Sequence, residues 1–204
     1  QSVFLEMNED QNRLYQYFLQ EVRKVVKSAF SDHNMGKAKI IALTAILRLR
    51  QICLSPRLVD PSITYLSPKL NFLSRQLETL QAEGYSGLIF SQFTSFLDLI
   101  EPTLIDDKIS YLRMDGKTSQ KKRKDLVDSF QNSTNPLFFL MSLKTGGIGL
   151  NLTKANYVFH MDPWWNPSVE NQATDRSHRI GQANRVFVTK ILMKDSIEEK
   201  IIEI

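Results

Sequence analysis

The stretch GLIFSQFTSFLDLIEPTLIDDKISYLRMDG, residues 87–116, decides the fold. It begins with an apolar, strand-like run at 87–91, continues with apolar residues at helical spacing near 93–104, and returns to a strand-like run at 109–112. Two strands joined through a helix favour a right-handed crossover and a parallel sheet with helices on both faces. Residues 87–116 therefore predict one βαβ unit.

The same alternation continues towards the C-terminal end of the chain. Further strand-like runs occur at 137–141, 157–161 and 186–192. Helical segments lie near 118–131, 167–177 and 195–204. The sequence thus predicts an α/β fold, in which a parallel sheet is sandwiched by helices.

The N-terminal third of the chain has helical periodicity. Asn8 followed by Gln11 resembles a capping box at the start of a first helix. A turn at 31–37 separates this helix from a second one near 37–53.

A connector that contains three prolines, residues 55–68, precedes the α/β pattern. Ser67 and Pro68 have the residue types of an N-cap and a first helical position, so a third helix begins there. We therefore predict a helical extension at 1–66 and a separate domain at 67–204. A helical appendage packed on the same sheet is the alternative.

Composition excludes several classes of protein. A hydrophobic content of 42% against 24% charged residues excludes intrinsic disorder, and a single Cys excludes a disulfide scaffold. Apolar runs are far shorter than the roughly 20 residues of a membrane span. The net charge of +4 is concentrated at 108–124, where seven basic groups accompany one acid. This run is either a solvated helix face or a patch for a phosphate backbone.

Ligands of such a sheet bind beyond the carboxyl ends of its strands, so the segments that follow the strands are the candidate sites. The segment SLKTGGIGLN at 142–151 has three glycines in four positions, which allow close backbone approach to a phosphate or sugar. It lacks the GxxxxGK[ST] pattern. A plain glycine-rich turn is an equal interpretation.

The segment NQATDRSHRIGQ at 171–182 carries Arg176 and Arg179, which share a face if the segment is helical. Two guanidinium groups on one surface suit a triphosphate, because they pair bidentately with its oxygens. Taken alone, the segment favours a solvated helix with ion pairs to Asp175. The three His residues lack the ligand spacing of a metal site, and we predict none.

Polar and aromatic side chains follow two of the strands. Ser91, Gln92 and Thr94, which we expect to be exposed, could donate hydrogen bonds to phosphates. Trp164 and Trp165 could stack on bases, although packing under the loop is the alternative for at least one of them.

Taken in order, the motifs resemble the second RecA-like lobe of the Swi/Snf-type DNA-translocating ATPases of helicase superfamily two. The resemblance covers nearly the whole chain and rests on LRLRQICLSPRL (47–58), SPKL (67–70), LIFSQFTSFLDLIE (88–101), YLRMDGKTSQKKRKDLVDSFQ (111–131), TGGIGLNL (145–152), DPWWNP (162–167), QATDRSHRIGQ (172–182) and DSIEEKI (195–201). It implies a RecA-like, P-loop NTPase-like sheet for the α/β domain.

The resemblance implies a role for each matching residue. Arg176 and Arg179 would be the catalytic arginine fingers, which reach the γ-phosphate of ATP bound mainly to the other lobe. On the nucleotide side, the resemblance implies contacts or loop-orienting roles for Gly147, Gly149, Asn151, Gln172 and Asp175. The family's DNA-tracking contacts match Ser91, Gln92, Gly116, Lys117, Ser142, Lys144 and Thr145, to which the residue pattern adds Thr94. Trp165 and Asn166 match an element that couples the DNA and ATP sites.

The family pattern further implies the C-terminal lobe of an ATP-dependent double-stranded-DNA translocase that remodels protein–DNA complexes. ATP and Mg²⁺ would be held mainly by an N-terminal RecA-like lobe of the same polypeptide, because neither a Walker A lysine nor a DExx-type acidic pair occurs in these residues. Both ends of the chain look cut, so we expect part of a longer protein that is inactive alone.

Two alternatives stay open. One is a non-catalytic scaffold lobe that binds nucleic acid; the other is a remodeller directed at RNA polymerase or another DNA-bound protein. We expect a cytoplasmic, nucleoid-associated protein if the source is bacterial and a nuclear one if it is eukaryotic; the fragment shows no targeting signal.

Overall fold

The computed structural model describes residues 1–31, 35–146, 150–175, 177 and 184–203. Within these residues, six strands form one parallel sheet in the order β1-β6-β5-β2-β4-β3. Their bounds are β1 Ser2–Leu5, β2 Gly87–Ser91, β3 Tyr111–Met114, β4 Phe138–Ser142, β5 Tyr157–His160 and β6 Phe187–Met193. The predicted parallel α/β sheet is confirmed.

Helices cover both faces of this sheet. The helices are α1 Glu9–Ser31, α2 Met35–Leu54, α3 Pro68–Ala82, α4 Thr94–Asp106, α5 Gln120–Asn132, α6 Leu143–Gly146, α7 Pro167–Thr174 and α8 Ile197–Ile202, with a 3₁₀ turn at Pro56–Leu58. Ser67 caps α3, as its position before Pro68 predicts, since its hydroxyl accepts the Leu70 N–H. None of the described helices is long and apolar enough to cross a membrane.

Strand β1 corrects the prediction that residues 1–66 are a helical extension. It pairs in parallel with β6, and the Lys194 N–H donates to the Leu5 carbonyl at 2.8 Å. Four residues give too short a pattern to identify a strand, and the hydrogen-bond partners lie almost 190 residues away in the sequence. The first residues therefore belong to the sheet, while the boundary near residue 66 stays a prediction.

Strand β3 begins at Tyr111, two residues later than predicted. Lys108 has a φ of 55° in the turn that ends α4, and the Ile109 N–H donates to the Leu104 carbonyl at 2.9 Å. The Ile109 side chain is buried in the core. In the sequence, Ile109 therefore resembles the start of the strand, although it belongs to the turn that ends α4.

The capping box at the first helix is half right. Asn8 Oδ1 accepts the Gln11 N–H at 2.8 Å, as an N-cap does. The Gln11 side chain does not reach back to Asn8; its Nε2 donates to the Ile52 carbonyl of α2 at 2.8 Å. A tertiary contact has replaced the local one.

The core lies in two layers on either side of the central strands β2 and β4, which are fully buried. One layer packs Ile89 and Leu140 against α3 and α4, and the other packs Phe90 and Phe139 against α5 and α7. Strands buried on both faces read as continuous apolar runs, which explains why they were visible in the sequence.

A buried ion pair ties four elements together. Lys69 Nζ of α3 lies 2.7 Å from Glu198 Oε1 of α8, and both side chains are fully buried. Lys69 also donates to the Met161 carbonyl beyond β5, and Glu198 Oε2 accepts the Met193 N–H at the end of β6. Burial raises the pKa of Glu198, and the ammonium of Lys69 opposes that change.

We predict that Lys69→Met lowers the free energy of unfolding by about 3–5 kcal/mol, because it leaves a buried carboxylate without its cation. Lys69→Met combined with Glu198→Gln should recover most of the loss, since the amide oxygen still accepts the Met193 N–H. Urea unfolding measures both. Lys200→Met, at the exposed Lys200–Glu203 pair, is the control and should change little. Equal losses in the single and double variants would contradict the prediction.

Candidate functional site

The loops that follow β2, β3, β4 and β5 meet at one edge of the sheet, because parallel strands present their carboxyl ends on the same side. The residues predicted to contact DNA lie at the last positions of these strands, in the loops that follow them or in the first turn of the next helix. Within the described residues they are Ser91, Gln92, Thr94, Gly116, Lys117, Ser142, Lys144, Thr145, Trp165 and Asn166. The fold thus brings together residues that are up to 75 positions apart in the sequence.

The prediction that Ser91 is exposed is wrong. Its side chain is fully buried and donates from Oγ to Asp162 Oδ1 at 2.5 Å. Asp162 is itself fully buried, so its oxygens need donors from the protein, and the Gln92 N–H supplies a second one at 3.3 Å. Gln92 is half-buried, whereas Thr94 at the start of α4 is exposed.

After β3, a tight turn presents Gly116 and Lys117 to solvent. Asp115 Oδ1 accepts the Lys117 N–H at 2.9 Å, and Arg113 forms an ion pair with the same carboxylate at 3.1 Å. Partial burial raises the pKa of Asp115. The contacts with the Lys117 N–H and Arg113 lower it by more than burial raises it, so the pKa lies below its ordinary value. The turn is therefore anchored by a charged carboxylate.

The basic run at 108–124 divides into two groups. Arg113 pairs with three carboxylates, and Arg123 Nε donates to the Thr118 carbonyl at 2.8 Å, so both serve the fold. The side chains of Lys108, Lys117, Lys121, Lys122 and Lys124 are exposed. The positive surface left for a partner is thus formed by lysines.

After β4, the hydroxyl groups of Ser142 and Thr145 are hydrogen-bonded to each other at 2.5 Å, and both side chains are buried. Their side chains are consequently directed to the protein rather than to solvent. Lys144 between them is exposed, as is Asn151 at the end of the glycine segment. Gly147 and Gly149 lie outside the described residues.

After β5, the two tryptophans have different environments. Trp164 packs against the core layer that contains Phe90 and Phe139, and its backbone N–H donates to Glu170 Oε1 at 2.9 Å. Trp165 is 43% exposed. Asn166 Oδ1 accepts the Ser168 N–H at 3.0 Å and so caps α7. Packing under the loop therefore applies to Trp164, and Trp165 keeps a surface for a partner.

The sequence interpretation missed Arg50. This residue of α2 is almost fully buried, its Nη2 donates to the Pro163 carbonyl at 2.9 Å, and it lies 3.8 Å from Asp162 Oδ2. The available signal was a charged residue three positions before Cys53, on a helix face that is otherwise apolar.

On α7, Gln172 is exposed, and so is Asp175 at its C-cap. Arg176 and Arg179, the predicted arginine fingers, lie outside the described residues. Beneath this helix, His160 Nε2 is 3.0 Å from Thr174 Oγ1, and its ring stacks on Phe90. Burial lowers the pKa of His160 to about 4, so the imidazole is neutral at pH 7.

The described residues contain no group of three or more His, Cys, Asp or Glu side chains arranged to hold a metal ion.

The family model described as helicase conserved C-terminal domain matches residues 68–181. The chain belongs to this family.

Curated relatives of this helicase lobe include the DNA repair protein RAD5 of Cryptococcus neoformans, 52% identical over 141 residues, which are 68% of this chain and 12% of that protein. An uncharacterized ATP-dependent helicase of Mycoplasma pneumoniae is 35% identical over 206 residues, 99% of this chain and 19% of that protein. The lobe thus spans less than a fifth of the length of either relative.

Among solved structures, the Sulfolobus solfataricus SWI2/SNF2 ATPase core in complex with dsDNA matches all of this chain and 42% of that one, with a TM-score of 0.85 and 30% identity. The C-terminal part of the Fun30 ATPase domain matches all of this chain and 88% of that one, with a TM-score of 0.83 and 26% identity. The resemblance to the RecA-like C-terminal lobe of Swi/Snf-type ATPases is confirmed.

We predict that His160→Gln flattens the dependence of stability on pH. The folded-state pKa of about 4 lies below the ordinary 6.5. Between these values the unfolded chain binds a proton that the folded chain does not, so stability falls as the pH is lowered through this window. The histidine alone contributes about 3 kcal/mol of this loss.

Urea unfolding at several pH values from 7 to 4 gives the free energy of unfolding of the parent and of His160→Gln. The difference between the two removes the contribution of the carboxylates, which both proteins share. Parallel stability curves for the parent and the variant would show that His160 does not carry the pH dependence.

Proposed function

We propose that this chain is the C-terminal lobe of an ATP-dependent double-stranded-DNA translocase that remodels protein–DNA complexes. The observation that carries the proposal is the convergence of exposed polar and basic residues on one edge of the sheet. Lys117, Lys144 and Trp165 follow three different strands and are all exposed there. The match of the whole chain to a Swi/Snf-type core that was solved with dsDNA supports DNA as the partner.

The chemistry of this edge suits a phosphate backbone. Lysine ammonium groups, the Thr94 hydroxyl and the exposed backbone at Gly116 bind phosphate oxygens without regard to sequence. In this proposal the lobe grips one strand through its phosphates, which is what a protein that moves along DNA requires. We expect translocation without productive strand separation.

ATP and Mg²⁺ would bind mainly to a first lobe of the same polypeptide, where the metal ion supplies charge for phosphoryl transfer. The exposed Asn151, Gln172 and Asp175 fit a polar surface on the nucleotide side of this lobe. Arg176 and Arg179 follow α7 in the sequence and would neutralise charge on the γ-phosphate when the lobes close. Closing and opening would then alternate the two DNA grips.

We predict that Arg179→Ala in the full-length polypeptide lowers DNA-stimulated ATP hydrolysis on the order of 10³-fold, because an arginine finger acts on the transferring phosphoryl group. Affinity for duplex DNA should change little. Arg185→Ala, at an exposed arginine of the same region, is the matched control and should leave both quantities unchanged. An unaltered hydrolysis rate in Arg179→Ala would instead support a non-catalytic scaffold lobe.

We predict that Lys117→Ala weakens duplex DNA binding to a similar extent for all sequences. The slope of log affinity against log salt concentration should decrease by about 1, because one phosphate contact is lost. Fluorescence anisotropy at several salt concentrations measures the slope. Lys200→Ala on α8 is the control, and an identical slope in all three proteins would exclude Lys117 from the DNA interface.

A further inference from the structure

We infer that Arg50 is a positioning residue that holds the loops after β2 and β5 together, so that Gln92 and Trp165 meet DNA as one surface. The inference rests on the proposed DNA contact of these two loops. Arg50 itself would touch neither DNA nor nucleotide, since its side chain is 5% exposed.

The first argument is a shared acceptor. The Pro163 carbonyl accepts one hydrogen bond from Arg50 Nη2 at 2.9 Å and another from Gln92 Nε2 at 3.1 Å. Pro163 belongs to the loop after β5 and Gln92 to the loop after β2. A donor from α2 thus meets both loops at a single oxygen atom, which sets the distance between them.

The second argument is aromatic. The guanidinium carbon of Arg50 lies 5.3 Å from the ring centroid of Phe93 and 5.7 Å from that of Trp165. Phe93 follows β2 and Trp165 follows β5, so the same group also joins the two loops through their rings. A planar guanidinium donates in its plane while its faces contact rings, and an ammonium group does not reproduce this.

The third argument is electrostatic. The buried Asp162 carboxylate accepts hydrogen bonds from Ser91 Oγ and the Gln92 N–H, and Arg50 lies 3.8 Å from it. Burial raises the pKa of Asp162, and Ser91, Lys69 and Arg50 oppose that change. Arg50 thereby adds a compensating charge where the two loops join.

The positional effect is tested first in the 204-residue chain. Trp164→Phe leaves Trp165 as the single tryptophan, and acrylamide quenching of its fluorescence then reports how much of the ring is accessible. Arg50→Met should raise the quenching constant about two-fold, because it uncovers the ring face that now lies against the guanidinium. Arg50→Lys should raise it too. Arg48→Met, an exposed arginine of the same helix, should not.

A second variant separates positioning from charge compensation. Arg50→Met alone leaves Asp162 with less compensation and could fail to fold. Arg50→Met with Asp162→Asn removes that charge while the amide oxygen still accepts the Ser91 hydroxyl. Because the amide nitrogen then faces the Gln92 N–H, Asp162→Asn alone is the control and should keep the parental quenching constant. We expect cooperative unfolding and a quenching constant that stays raised. A return to the parental constant would show that Arg50 only neutralises Asp162, which would overturn the inference.

The functional consequence is measured in the full-length polypeptide. The duplex concentration that half-maximally stimulates ATP hydrolysis should rise about ten-fold in the double variant, because the two contact loops are no longer aligned. The rate at saturating DNA and the salt slope of DNA binding should stay close to the parental values. A salt slope lower by about 1 would make Arg50 a direct phosphate contact and overturn the inference. If duplex DNA does not stimulate ATP hydrolysis by the parental polypeptide, the proposed function is refuted. The acrylamide quenching result would still decide the role of Arg50.

Discussion

The ion pair between Lys69 and Glu198 joins the first helix of the α/β region to its last one, and it does so in the absence of solvent. Charges in that position are tolerated only when their remaining hydrogen-bonding capacity is used, and here the Met161 carbonyl and the Met193 N–H complete it. Those two backbone groups lie just beyond β5 and at the end of β6. The pair therefore holds α3 and α8 to the carboxyl ends of β5 and β6.

A second set of buried charges lies directly under those loops. Asp162 collects donors from Ser91 and Gln92, and Arg50 approaches it from α2. Acids and bases buried beneath an exposed surface make the loops rigid, because any displacement would leave a polar group unpaired in a medium of low dielectric. A rigid edge is an advantage for a lobe that would bind a regular phosphate backbone.

Much of the fold could be predicted from the sequence, for physical reasons. Strands such as β2 and β4 are buried on both faces and read as apolar runs, and helices such as α3 begin with a local cap at Ser67. The short edge strand β1 could not be predicted, because its identity depends on pairing with β6. Arg50 was missed for the same reason: its partners come from two loops that are distant in the sequence.

The sequence by itself determined the alternation of strands and helices in the α/β region, the family, and the lysines and polar residues that follow the strands, because apolar periodicity and short motifs are local properties. Only the tertiary structure decided which of those residues face solvent. Three hydroxyl residues have side chains that could contact DNA, yet they are buried and form hydrogen bonds with other side chains of the protein: Ser91, Ser142 and Thr145. By contrast, the side chains of Lys117, Lys144 and Trp165 are exposed. Burial depends on what packs above a residue, and those neighbours are distant in the chain.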